Sequence, residues 1–219
     1  MKRWPILLLG VAGLLGVGIA AIYRSRAPGA TGNNSSGPPY RIVALGDSIT
    51  FDGRYLDALL THLPVGSQGW KVAKGGAGVK YIRENLLPEA LAHNPTDLIV
   101  LAGVNDLASN RAPSLIAGHL DAIYREAQAR GIRVIAITVL PWEGHLQKPK
   151  FSAHRDEIRA KQVEVNRWIR AQAPRVDVVD GDALGSNGML HQGFTRDGIH
   201  PVGPGHDALG RLIFTSVRW

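Results

Sequence analysis

"RIVALGDSIT", residues 41–50, sets an apolar run directly against a polar turn. Ile42 to Leu45 are apolar and rich in β-branching, which suits a strand buried on both faces. The run stops at Gly46, and Asp47, Ser48 and Thr50 follow at once. Serine and threonine after a strand commonly cap the next helix, so Ser48 and Thr50 taken alone read as caps. A serine at the end of a buried strand is also where a nucleophile can be mounted. The rest of the chain decides between the two.

The pattern of that first stretch returns along the sequence. Short apolar runs at 41–45, 70–73, 97–102, 133–140 and 176–179 predict strands, and stretches of helical period lie at 54–62, 79–93, 113–130, 153–172 and 204–217. Gly131 is a helix stop and Pro113 a tolerated first-turn residue. Strand and helix in alternation predict an α/β domain with a parallel sheet covered on both faces. Right-handed crossovers then gather the C-terminal ends of the strands at one edge, where ligands bind.

The first forty residues differ from the rest. Met1-Lys2-Arg3 precedes twenty uncharged residues, Trp4 to Tyr23, and Arg24-Ser25-Arg26 closes the segment. As a helix that stretch spans roughly 30 Å, the thickness of a bilayer core. Residues 1–26 therefore read as an N-terminal membrane anchor or, with Gly18 and Ala20 as a small-x-small site, as a cleaved signal peptide. Either reading exports the protein, held at the membrane or released as a secreted or periplasmic domain. Residues 27–39, "APGATGNNSSGPP", form a flexible linker, and residues 40–219 form one domain of catalytic size.

The net charge of +7 belongs largely to the leader: without its four bases, 21 Lys and Arg face 18 Asp and Glu, a net +3. No basic run or interleaved aromatics mark a nucleic-acid partner. The absence of cysteine excludes a disulfide framework and a lipidated cysteine.

The loops after the strands hold the chemistry: "GDSIT" at 46–50, "KGGAG" at 74–78, "GVND" at 103–106 and, further from its strand, "RDGIHP" at 196–201. Asp197 and His200 stand three apart, so that one turn brings the carboxylate to the imidazole. An aspartate on one ring nitrogen fixes the tautomer and frees the other nitrogen to take a proton, as the weakly acidic Ser48 hydroxyl requires. Ser48, Asp197 and His200 thus make a candidate triad. The Ser48 N–H, the Gly78 N–H and the Asn105 side-chain amide are candidate oxyanion donors. Each has a plainer reading: the glycines as a sharp turn or phosphate cradle, Asp197 as a turn residue, His200 as a surface histidine, Asp106 as no more than the start of a helix. Their joint occurrence at one sheet edge favours catalysis.

With these residues the chain resembles the GDSL, or SGNH-hydrolase, family over about residues 40–217. Gly46-Asp47-Ser48 is similar to the first family block and carries its nucleophile. Gly78 matches the glycine of the second block, Asn105 the asparagine of the third, and Asp197-Gly198-Ile199-His200 the acid and base of the fifth. The resemblance implies a flavodoxin-like three-layer α/β/α sandwich with a central parallel sheet of about five strands. It also implies hydrolysis of esters or thioesters with no metal and no cofactor. Two departures stand out: Ala73 replaces the asparagine usual five residues before Gly78, and Phe51 and Asp52 precede Gly53 where a glycine often comes sooner.

The expected substrate is a small acyl ester, short-chain first, with lysophospholipids and thioesters as further candidates. Phe51 and Trp142, with Leu146 and Phe151 in the 141–151 loop, are candidates to line or cover an acyl pocket; a solvated loop anchored by those residues is the alternative. His145 and His154 read as surface residues. Rival functions are an O-acetylesterase acting on envelope polysaccharide and a non-catalytic envelope-binding module. A metallohydrolase using His191, His200, His206 and Asp197 is a third, but no His-Glu-x-x-His occurs.

Overall fold

The apolar runs become the strands of one sheet in a computed structural model that describes residues 21–25, 39–173 and 175–219. The strands are β1 (Ala21–Ser25), β2 (Arg41–Gly46), β3 (Gln68–Ala73), β4 (Asp97–Leu101), β5 (Arg133–Ile137) and β6 (Asp177–Val179). Their order is β1-β3-β2-β4-β5-β6, with β2 through β6 parallel and β1 antiparallel on the β3 edge. All five residues of β4 are buried, as a central strand covered on both faces requires.

The helices are α1 (Ser48–Asp52), α2 (Arg54–Leu60), α3 (Val79–Tyr81), α4 (Leu87–Ala92), α5 (Val104–Ala108), α6 (Pro113–Ala129), α7 (Glu143–Leu146), α8 (Arg155–Arg170) and α9 (Gly203–Ser216). A two-stranded hairpin, β7 (Gly185–Ser186) with β8 (Met189–Leu190), precedes α9. Helix α2 packs with α9, and α6 packs with α8 and α3, giving the α/β/α layering. From β2 the chain passes to β3 on one side and later to β4 on the other, so the crevice at their C-terminal ends is the topological switch point. "GDSIT" and "GVND" open onto it.

Three departures from the sequence reading have a clear physical reason. The strand expected at 133–140 leaves the sheet after Ile137, because Asn166 takes over the backbone of Val139, accepting from its N–H and donating to its C=O, both at 2.9 Å. The apolar residues there report burial rather than pairing. The helix expected over 79–93 contains a π-helical turn at Ile82–Leu86. Pro88 has no N–H to give Glu84, and the Leu87 N–H reaches back to the Ile82 carbonyl instead. Finally, Ala21–Ser25, the end of the segment read as a leader, forms β1 and satisfies the open backbone edge of β3.

The rest of that leader and the linker up to Pro38 lie outside the described residues. Among the described residues no helix is long and apolar enough to cross a membrane.

Candidate active site

The helix after β2 is capped by Asp47, whose Oδ1 accepts the Ile49 N–H at 3.0 Å. Ser48 is therefore the first residue of α1 and not its cap. Its hydroxyl lies 2.9 Å from His200 Nε2, and His200 Nδ1 lies 2.7 Å from Asp197 Oδ2. Since an ionised carboxylate only accepts, Nδ1–H donates to Asp197 and Nε2 is left to accept from Ser48. Residues 152 apart in sequence thus form a continuous proton relay.

Asp197 is held by more than the imidazole. Its Oδ1 accepts from the N–H groups of Ile199 and His200 at 3.1 and 2.9 Å, and from the Thr195 hydroxyl at 3.3 Å. Thr195 in turn accepts the Gly198 N–H at 3.0 Å and bridges to Pro201, closing the turn. Burial pushes the Asp197 carboxyl up, but the bonds from His200 and Ile199 outweigh it and hold the group well below the usual carboxylate range. It stays ionised wherever the relay works. Thr195 escaped the sequence reading, and only its place two residues before Asp197 hinted at it.

The second and third loops are tied together. Asp106, expected only to begin a helix, lies inside α5 and accepts the Val79 N–H at 2.8 Å. A Cβ on Gly78 would stand 2.9 Å from Asp106 Oδ1, so any larger residue here would push against the carboxylate that holds Val79. Burial raises the Asp106 carboxyl above its ordinary value. Asn105 Nδ2 donates to the Ala77 carbonyl at 3.1 Å, which leaves its second amide hydrogen for another acceptor. Among the described residues the N–H groups of Ser48 and Gly78 have no acceptor. Gly76 sits at the outside of the turn with open space around it. Asn105→Ala is expected to lower kcat on an ester on the order of 100- to 1000-fold, the usual cost of one oxyanion donor, as initial-rate kinetics would read directly.

Asp47 is a further group that sequence did not single out beyond its place in the block. It is buried, its Oδ2 has no partner among the described residues, and burial pushes its pKa up to about 7. Between its ordinary 3.8 and about 7 the native state holds a proton that the unfolded chain has lost, so this group's contribution to stability falls as pH rises through that window. Asp47→Asn, which keeps an acceptor for Ile49, is expected to gain melting temperature over the parent more at about pH 8 than at about pH 5. An equal change at both pH values would contradict the assignment.

The structure separates the two candidate pocket residues. Phe51, on α1, is 46% exposed. Trp142 is 1% exposed, donates its indole N–H to Gln162 at 2.8 Å and packs edge-on against Phe151 at 5.9 Å. Leu146 and Phe151 are buried with it, so the loop's apolar residues complete the core against α8 instead of facing a ligand. His145, expected at the surface, is half-buried, with Nδ1 3.1 Å from the Asp197 carbonyl. The metal alternative required His191 and His206 beside the triad; His206 pairs with Asp52 instead, and no metal-holding cluster gathers among the described residues.

Residues 44–208 match the model of the GDSL-like lipase/acylhydrolase family. Among solved structures, a GDSL-like lipase from Bacteroides thetaiotaomicron VPI-5482 superposes with a TM-score of 0.66 at 24% identity, covering 80% of this chain and 86% of that one. An acetyl xylan esterase gives 0.63 at 16% identity, covering 81% of this chain and 100% of its own. An acetyl-xylooligosaccharide esterase from Geobacillus stearmophilus gives 0.61 at 17%, covering 84% and 97%. At these identities the likeness is one of fold. No curated protein sequence matches the chain.

Proposed function

The chain belongs to the GDSL-like lipase/acylhydrolase family, and from that premise we propose that it cleaves short-chain carboxylic esters through an acyl-enzyme on Ser48. The observation that carries the reading is the Ser48–His200–Asp197 relay, at 2.9 and 2.7 Å. His200 takes the Ser48 proton as Oγ attacks the acyl carbon, and the N–H groups of Ser48 and Gly78 with the Asn105 amide receive the oxyanion. His200 then gives the proton to the leaving alcohol. Water repeats the sequence, with His200 as base, and frees the acid.

The preference for a short acyl group follows from the 141–151 loop. Trp142, Leu146 and Phe151 are committed to the core, which leaves Phe51 as the exposed aromatic of the nucleophile's own helix. A long chain needs a continuous apolar wall, worth about 0.8 kcal/mol per buried methylene, and this loop does not supply one. The same argument supports a second reading, an acetyl ester on a polysaccharide, in which the acyl group is small and the alcohol large. The fold neighbours that are acetyl xylan esterases lend it support.

The test is a p-nitrophenyl ester series from acetate to palmitate with the full chain. kcat/KM is expected to be highest at acetate or butyrate and to fall with length. A maximum at palmitate would overturn the short-chain reading. Failure on the whole series with release of acetate from acetylated xylo-oligosaccharide would favour the second. Export, by anchor or signal, is part of the proposal and rests on the uncharged sequence that precedes β1.

A further inference from the structure

A second carboxylate–imidazole pair joins the two segments that carry the relay. Asp52 ends α1, four residues after Ser48, and His206 lies in the first turn of α9, six residues after His200. Asp52 Oδ2 is 3.1 Å from His206 Nε2, and His206 is 0% exposed. The carboxylate accepts, so Nε2 carries the hydrogen, while Nδ1 is buried with no partner among the described residues.

Burial pushes the His206 pKa down, partly offset by Asp52, and favours the neutral ring. The groups around it are few. Lys71 Nζ donates to the Asp52 carbonyl at 2.9 Å, Arg54 stands 3.5 Å from Asp52 Oδ1, and the Tyr55 ring stacks over the imidazole at 6.3 Å.

An apolar side chain would fill this site without leaving a buried nitrogen unpaired, which costs stability. The pair therefore calls for a reason other than packing, and its placement supplies one. Helix α9 is pressed on α2: a Cβ on Gly210 would stand 2.6 Å from the Tyr55 carbonyl. Helix α2 follows α1 directly across Gly53. The Asp52–His206 contact closes this circuit, so that the C-terminal end of α1, one turn beyond Ser48, is set against the first turn of α9, which follows His200.

We propose that Asp52 and His206 are positioning residues whose hydrogen bond sets the distance and angle between Ser48 Oγ and His200 Nε2. The inference rests on the assignment of those two residues given above.

The experiment compares the full chain with four variants on p-nitrophenyl acetate, below the melting temperature of each. His206→Leu is expected to lower kcat about 10- to 100-fold with little change in KM, the scale of a misplacement of about 1 Å. His206→Gln, whose amide hydrogen can reach Asp52, should keep most of kcat. Asp52→Ala, at the partly exposed partner, should match His206→Leu, and the double variant should be no worse than either.

Leu209→Ala opens a cavity under the same helix while keeping both members of the pair, and should lower the melting temperature while leaving kcat in place. A folded His206→Leu or Asp52→Ala with wild-type kcat would overturn the proposal. So would an equal kcat loss in Leu209→Ala, which would make the effect one of helix packing. Ser48→Ala in the same assay separates the two failures: its inactivity beside an active His206→Leu removes the positioning role alone, whereas its activity removes the nucleophile.

Discussion

Ser48→Ala is expected to lose ester turnover by at least about 10,000-fold, while the protein stays folded. The loss is large because no other group in the relay can form the acyl intermediate. The fold should tolerate it because Ser48 is a first-turn helix residue whose hydroxyl, among the described residues, bonds to His200 alone, and alanine is a good helix former. The cap stays with Asp47, and the His200 ring stays bonded to Asp197. The change in unfolding free energy should lie within about 1 kcal/mol. The measurement is kcat/KM on p-nitrophenyl acetate with a melting curve for each protein. Wild-type turnover in a folded Ser48→Ala protein would sink the assignment of the nucleophile.

Asp197→Asn should cost on the order of 10,000-fold in kcat, more than its single-atom change suggests. Both oxygens of Asp197 are acceptors here. Oδ1 takes the N–H groups of Ile199 and His200 and the Thr195 hydroxyl, and Oδ2 takes the imidazole. An amide has one acceptor. With its oxygen turned to the backbone, the NH2 group faces His200 Nδ1 as a donor and forces the hydrogen onto Nε2, where it can no longer receive the Ser48 proton. With the oxygen turned to His200, the NH2 group meets two N–H groups and the turn loses its anchor. The first arrangement keeps more hydrogen bonds and is the one expected. Crystallography or imidazole nitrogen shifts would show the tautomer, and a folded Asp197→Asn enzyme with near-normal kcat would contradict the relay as drawn.

The alternation of apolar runs and helical periods was legible because a parallel sheet demands strands buried on both faces and amphipathic covers. The side chains proposed for catalysis could be picked out for a related reason, and the structure brings Ser48, His200 and Asp197 together. Ser48, Asn105, Asp197 and His200 are residue types with few other uses in that combination, and each follows a strand. What stayed hidden depended on partners distant in sequence. Trp142 looked like a pocket residue until Gln162 was seen to take its indole N–H within the core. Val139 looked like strand until Asn166 was found on its backbone. Asp106 looked like a helix start, and its bond comes from Val79, which begins α3 27 residues away.

By itself the sequence determined the order of strands and helices, the switch-point loops and the chemistry of the residues on them, because these follow from local periodicity, turn residues and crossover handedness. Only the tertiary structure decided what the second histidine does: His200 meets Ser48 as the spacing with Asp197 had indicated, while His206 turns away to Asp52. His200 and His206 lie six residues apart, and both bond to carboxylates. The start of α9 turns one ring toward the crevice and the other into the core, and that choice is made by packing across the molecule.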